Sequence, residues 1–249
     1  MILEKRVALI TGAAKGIGRQ IAMDMVSEGA KVIICDIDCQ AGEATQNAIR
    51  QKGGEALFIP VDVSKFEDIN YAVKKANDIF GTINILVPNA SITSRRSIVD
   101  LTLEEWDRTL RINLTGTFLT VKAIIPQMLE QGYGRIIVIT SASAITGSGG
   151  GVHYAATKAG QNAMVRNLAR EFAPMGINAN AIAPRTIQTE ILDVLYPPGD
   201  TRDRLINTIP VRRLGNAKDI SDLAVFLASA QADYINGQIM LVDGGKTFS

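Results

Sequence analysis

Seven short apolar runs recur along the chain: Val7–Thr11, Lys31–Cys35, Ala56–Val61, Ile85–Val87, Arg135–Thr140, Ile177–Ile182 and Ile239–Val242. Runs that are apolar on both faces suit strands inside a parallel sheet, where crossover helices cover each side. The stretches between them carry helical patterns, clearest over Gly18–Glu28, Lys65–Phe80, Glu104–Leu129 and Tyr154–Phe172. Such alternation predicts an α/β fold, a Rossmann-like doubly wound parallel sheet of about seven strands with helices on both faces. No linker, charge run or low-complexity segment divides the 249 residues, so 1–249 is read as one domain. An irregular stretch at about 185–210, holding Tyr196-Pro197-Pro198-Gly199-Asp200, is expected to be a substrate loop.

A net charge of +1 gives no field for drawing in nucleic acid or an anionic membrane. No apolar run approaches the ~18 residues of a membrane helix. Met1-Ile2-Leu3-Glu4-Lys5-Arg6 runs straight into the first strand without a signal-peptide core. Cys35 and Cys39 are too few for a disulfide framework and have no partners for a metal, so no metal is expected. Cys35 reads as a strand core residue and Cys39 as a helix start. These features predict a cytoplasmic protein acting on a small molecule.

The first strand is followed at once by Thr11-Gly12-Ala13-Ala14-Lys15-Gly16-Ile17-Gly18. Glycines there let the backbone approach a pyrophosphate, and the start of the next helix supplies free N–H groups and a positive dipole end. Asp36, 18 residues beyond Gly18, closes the second strand where a carboxylate can meet the adenosine ribose hydroxyls and repel a 2′-phosphate. Lys15 argues the other way, as a cation able to reach such a phosphate. Ile37, Asp38, Cys39 and Gln40 supply no cation, so NAD is expected in preference to NADP. Asp62-Val63 follows the third strand and is placed at the adenine. Asn89-Ala90 follows the fourth, near the centre of the crevice.

Ser141, Tyr154 and Lys158 stand 13 and 4 residues apart, the last two on one helix face. A free phenol with a pKa near ~10 exchanges protons poorly at neutral pH, and correcting that takes roughly 3–4 kcal/mol. A neighbouring ammonium and a positively charged nicotinamide ring are suited to supply it. Ser141 offers a hydroxyl to the same substrate oxygen.

With these motifs in order, the chain from Lys5 to Gly245 resembles the classical short-chain dehydrogenase/reductase family. The likeness includes Asn113, Pro184-x2-Ile187-x-Thr189 and the closing Val242-Asp243-Gly244-Gly245. It implies that Tyr154 is the acid/base, that Ser141 orients the substrate and that Lys158 binds the nicotinamide ribose. It further implies that Asn113 holds a relay water and that Ile187 and Thr189 contact the carboxamide. It implies a homotetramer too, in keeping with Ala155, Ala156, Ala159, Gly160 and Ala163 on the Tyr154 helix. Three departures stand out. The family's Asn-Asn-Ala-Gly reads Pro88-Asn89-Ala90-Ser91, its Pro-Gly reads Pro184-Arg185, and its Ser-Ser is replaced by Thr140-Ser141-Ala142-Ser143, where the spacing to Tyr154 selects Ser141.

The expected reaction is hydride transfer between a secondary alcohol or ketone and NAD. Arg185, Arg95 and Arg96 border the expected cleft and suit an anionic hydroxy compound; neutral polyols are the alternative. A 3-oxoacyl-thioester reductase is a rival. Carrier-protein reductases of that kind usually carry basic residues where Gly132 and Met175 stand here. Two further rivals are a protein that senses NAD and an enzyme that epimerises with its cofactor retained. His153 points away from Tyr154 on a helix and is read as a bystander. Trp106 is expected to pack with Leu103 and Leu110.

Overall fold

The computed structural model describes residues 1–188 and 199–248. Seven strands form one parallel sheet: β1 (Val7–Thr11), β2 (Lys31–Asp36), β3 (Ala56–Pro60), β4 (Ile85–Val87), β5 (Gly134–Ile139), β6 (Ile177–Pro184) and β7 (Ile239–Val242). Their order is β3-β2-β1-β4-β5-β6-β7. The chain therefore winds outward from β1 in one direction and from β4 in the other. That reversal leaves a crevice beyond the carboxyl ends of β1 and β4, where ligands of open α/β sheets bind.

Helices cover both faces: α1 (Gly16–Ser27), α2 (Cys39–Gln51), α3 (Phe66–Phe80), α4 (Leu103–Thr109), α5 (Gly116–Gln131), a short α6 (Ser143–Thr146), α7 (Gly151–Phe172), α8 (Asp200–Asn207) and α9 (Ala217–Ala228). Alternate residues of β1 feed two separate cores. Ala8 and Ile10 pack with Ile21 and Met25 of α1 and Ile220 and Ala224 of α9. Val7 and Leu9 pack with Ile69 and Ala76 of α3, Ile124 and Met128 of α5 and Val165 of α7. This two-sided burial explains why the strand runs are apolar throughout.

The helix expected over Glu104–Leu129 is continuous in space but changes pitch. Leu110–Thr115 forms a π-helical turn between α4 and α5 and carries the buried Asn113. The stretch expected to be irregular contains α8, whose first turn carries Asp200 and Asp203. None of its residues is buried, so it lacks the apolar stripe by which a helix is read from sequence. Residues 189–198, including Thr189 and Tyr196-Pro197-Pro198, lie outside the described residues. Leu103, expected to pack with Trp106, is exposed instead, because it sits at the first position of α4, where the helix leaves the surface. Pro88 leaves the sheet intact, since its carbonyl still accepts the Ile139 N–H at 3.0 Å.

Candidate active site

The glycine turn is shaped by contact with the chain after β4. Asn89 Nδ2 donates to Thr11 O at 3.0 Å and Gly12 O at 2.8 Å, while Thr11 Oγ1 accepts the N–H groups of Asn89 and Ala90 at 3.0 and 3.1 Å. Gly12 has φ +64°, and a Cβ there would meet Ala90 Cα at 2.7 Å. A Cβ on Gly18 would meet Gly12 O at 2.4 Å. Lys15 precedes α1 without capping it through its side chain, which leaves the first N–H groups of the helix available. Bare backbone at a helix start is what a pyrophosphate requires, so these residues fit a dinucleotide.

The β2–β3 end of the cleft is built around Asp36. Its Oδ2 accepts the Ala14 N–H at 3.0 Å and its Oδ1 the Asp38 N–H at 3.1 Å. The carboxylate thus braces the glycine turn while lining the cleft. Lys15 is ion-paired with Asp38 at 2.9 Å. The one cation of the turn is therefore held by a carboxylate two residues past Asp36. Ile37, 74% exposed, lies on the cleft wall as an apolar surface, joined by Val61 and Val63. Asp62 Oδ1 accepts from the backbone and hydroxyl of Ser64.

At the other end, α7 carries Tyr154 and Lys158. Lys158 is 1% exposed, its Nζ donates to Ile139 O at 2.9 Å, and it lies 5.5 Å from the centre of the Tyr154 ring. Burial lowers the Lys158 pKa to about 7. Burial also raises that of Tyr154, although hydrogen bonds with the hydroxyls of Ser141 and Ser91 pull the other way. Desolvation favours the neutral form of both groups. Ser141 Oγ donates to Ser143 Oγ at 3.1 Å, and Ser143 Oγ donates in turn to Ser148 O at 2.6 Å. A serine chain leads away from the phenol.

Asn113 is buried in the π-helical turn and holds neighbouring backbone. Its carboxamide is used twice by Ile92, accepting from N at 2.8 Å and donating to O at 2.9 Å. Its carbonyl already accepts from Gln161 Nε2 and Thr117 Oγ1, both at 2.8 Å. The residue ties the segment after β4 to α5 and α7.

Pro184, Arg185 and Ile187 line the cleft, Ile187 pairing with Gly215. Arg95 lines it as well, but Arg96 does not and is bound to Glu105 at 3.1 Å. His153 faces Ser94, with Nε2 and Oγ 3.0 Å apart, and takes no part at the phenol. Ser91, Ser148 and Lys246 are cleft residues that sequence reasoning did not select. For Ser91 the signal was present, as a hydroxyl where the family usually has glycine. For Lys246 there was none, since the C-terminal turn is distant in sequence.

The cleft joins all these groups in one cavity of about 720 Å³, within the usual range for ligand sites. Residues 12–247 match the family model described as enoyl-(acyl carrier protein) reductase. A 3-oxoacyl-[acyl-carrier-protein] reductase of Staphylococcus epidermidis is 37% identical over 96% of this chain and 97% of its own. The (2S)-[(R)-hydroxy(phenyl)methyl]succinyl-CoA dehydrogenase subunit BbsD of Thauera aromatica is 36% identical over 99% and 98%. The crystal structure of levodione reductase superposes with a TM-score of 0.94 at 33% identity, covering 98% of both chains. The chain belongs to the classical short-chain dehydrogenase/reductase family. It is an oxidoreductase of a kind that uses a nicotinamide cofactor. Among the described residues no helix is long and apolar enough to cross a membrane.

Burying Lys158 has a thermodynamic consequence. From about pH 7 to its ordinary 10.5, the unfolded chain keeps a proton that the folded one has shed. This group therefore makes stability rise with pH across that window. Lys158→Met should raise the melting temperature of the cofactor-free protein at pH 7 and flatten its rise towards pH 10. Loss of the donor to Ile139 O offsets part of the gain. Thermal melts from pH 6 to 10 check this; a lower melting temperature with an unchanged slope would count against a buried-charge penalty.

Proposed function

We propose that this protein is an NAD-dependent oxidoreductase that interconverts a secondary alcohol and its ketone, with Tyr154 as the acid/base. The observation that carries the reading is the meeting of the Tyr154 phenol, the Ser141 hydroxyl and the buried Lys158 in the cleft that begins at the glycine turn. A nicotinamide supplies the hydride acceptor for oxidation and the donor for reduction. Gly12, Lys15, Gly16, Ile17 and Gly18 are the residues that would hold its pyrophosphate, and Asp36 its adenosine ribose. Asp62 and Val63 are assigned to the adenine. Asn89, Lys158, Pro184, Ile187 and Thr189 are assigned to the nicotinamide half, Thr189 from its sequence position alone.

Ser141, turning its hydroxyl hydrogen from Ser143 Oγ, would donate a hydrogen bond to the substrate oxygen and fix it against Tyr154. In oxidation Tyr154, as phenolate, would take the hydroxyl proton while the carbon-bound hydrogen leaves as hydride to the bound nicotinamide; in reduction Tyr154, as phenol, would give its proton to the oxygen of the ketone as hydride arrives. Lys158, kept close to the ring on α7, favours the phenolate whenever its own charge is retained. Asn113 positions the wall of the site through Ile92. The pairing of Lys15 with Asp38 supports NAD over NADP, because it commits that cation near the ribose to a carboxylate.

The names of the Staphylococcus and Thauera relatives favour a second reading, reduction of a 3-oxoacyl thioester. Against it stand Gly132, with no side chain, and the exposed Met175, where carrier-protein reductases usually place basic residues. Ala156, Ala159 and Ala163 form an exposed row of small side chains on α7, which supports pairing of this helix between copies in a homotetramer.

Tyr154→Phe should lower kcat by ~10²–10⁴ while NADH affinity stays within a few-fold, measured by fluorescence titration beside steady-state kinetics. A variant retaining a tenth of the wild-type kcat would show that another group moves the proton. Asp36→Asn keeps an acceptor for the Ala14 N–H but removes the charge, and should narrow the NAD-over-NADP preference about ten-fold or more. Wild-type preference for NADPH would refute the cofactor assignment. Sedimentation at micromolar concentration should give four times the 26.7 kDa chain mass, and a monomer would exclude the assembly.

A further inference from the structure

Three hydroxyls meet at one end of the cleft, those of Tyr154, Ser141 and Ser91. Oxidation by the proposed reaction leaves a proton on Tyr154 at every turnover, and the phenol can act again only after that proton has gone. The bound alcohol covers the phenol from the cleft side, so the proton needs a way out past the neighbouring groups.

Ser141 leads inward. Its Oγ donates to Ser143 Oγ at 3.1 Å and accepts the Ser143 N–H at 3.1 Å, and Ser143 Oγ donates to Ser148 O at 2.6 Å. A proton passed along this chain would arrive at a backbone carbonyl, which has no hydrogen of its own to hand on. Lys158 is 1% exposed and its Nζ donates to Ile139 O, so it does not itself open to solvent. Ser91 leads outward. It is exposed, lines the cleft and hydrogen-bonds the phenol. The chain is held on both sides of it. The Ala90 N–H donates to Thr11 Oγ1 at 3.1 Å, and Ile92 meets both ends of the Asn113 carboxamide, at 2.8 and 2.9 Å. Left-handed backbone among the described non-glycine residues is confined to Lys5, Thr186 and Arg212, so Ser91 presents its hydroxyl without strain.

We propose that Ser91 is a further catalytic residue, the hydroxyl through which the proton taken up by Tyr154 during oxidation leaves for solvent. A hydroxyl donates one hydrogen and accepts others, so it can receive one proton while giving up another. The Tyr154 O–H bond breaks as a new O–H bond forms on Ser91 Oγ, and the original Ser91 O–H bond breaks towards a water or buffer base outside. Tyr154 returns to phenolate, the Ser91 hydroxyl is regenerated, and the base carries the proton away. In reduction the same path runs inward. Glycine, usual at this position in the family, has no group for this step, so the path is a property of this chain. The inference rests on the alcohol/ketone reading with Tyr154 as the acid/base, and the experiment separates the two.

The test follows the proton directly. Wild-type enzyme, Ser91→Ala, Ser91→Gly and Ser91→Thr are mixed rapidly with NAD and either cyclohexanol or 3-hydroxybutanoate in weak buffer. NADH absorbance reports the hydride step and a pH-indicator dye reports proton release. In the wild type and in Ser91→Thr, which keeps the hydroxyl, the two signals should rise together. In Ser91→Ala and Ser91→Gly proton release should lag the first hydride step by about ten-fold or more, and added imidazole should shorten the lag as its concentration rises. A merely structural role would slow both signals together and leave no lag for imidazole to relieve. Independently of turnover, the Tyr154 phenolate absorbance of the NAD complex, taken as the difference from Tyr154→Phe, should titrate about one pH unit or more higher in Ser91→Ala. That is the shift expected for a lost hydrogen bond to a charged acceptor. An unshifted titration, a lag that Ser91→Thr shares with Ser91→Ala, or a lag that imidazole does not relieve would overturn the inference. Oxidation of either alcohol by Ser91→Ala with proton release keeping pace would sink the relay and leave the proposed reaction standing. A shifted titration with neither alcohol oxidised would sink the reaction and leave Ser91 as the proton exit of the phenol.

Discussion

The site depends first on the clasp between the end of β1 and the chain leaving β4. Thr11-Gly12 and Asn89-Ala90 exchange four hydrogen bonds there, two accepted by the threonine hydroxyl and two donated by the asparagine side-chain amide. The sheet reverses its winding at this point, so no ladder bonds continue to hold the two chain ends together beyond the strands. Side-chain amide and hydroxyl groups replace the ladder. The clasp draws the glycine turn so close to Ala90 that Gly12 and Gly18 have no space for a Cβ. Asp36 then braces the turn from the β2 side through Ala14. A dinucleotide site needs exposed N–H groups that nonetheless stay in place, and these contacts fix them without covering them.

Much of this was legible because the signals are local or strictly periodic. The β1 run, the glycine turn and Asp36 follow one another within thirty residues, and the Tyr154–Lys158 spacing is that of one helical turn. Strand ends were found to within a residue or two because two-sided burial makes the runs uniformly apolar. What escaped depends on distant partners or on weak patterns. The exposed α8 has no apolar stripe, so its segment reads as irregular. The π-helical turn at Asn113 has no sequence periodicity of its own. The role of its amide is fixed by Ile92, 21 residues upstream. Arg96 and Arg95 look equivalent in sequence, yet Glu105 claims only the former by an ion pair on the flank of α4.

Buried polar groups in the catalytic half are satisfied unevenly. Lys158 is fully enclosed with one carbonyl, and burial favours its neutral form. The phenol nearby is likewise held neutral by burial. A fold selected for stability alone would put an apolar side chain at 158. Retention of an ionisable amine there fits a proton-transfer role, because a group whose two protonation states are close in energy near neutral pH changes state with little driving force.

The orientation of the phenol itself is set from above by glycine. The segment from Gly147 to Gly151 contains four glycines with positive φ, and it leads directly into α7. A Cβ on Gly150 would lie 2.5 Å from Tyr154 Cδ1 and 2.7 Å from Thr93 Oγ1. The backbone thus lies flat on the ring face, while Ser141 and Ser91 reach the hydroxyl end. Any side chain at 150 would have to displace either the ring or the segment carrying Thr93, and both form walls of the same cleft. The same stretch carries Ser148, which receives Arg185 on one side and Ser143 on the other. One loop therefore sets the ring plane and the position of the Arg185 guanidinium together.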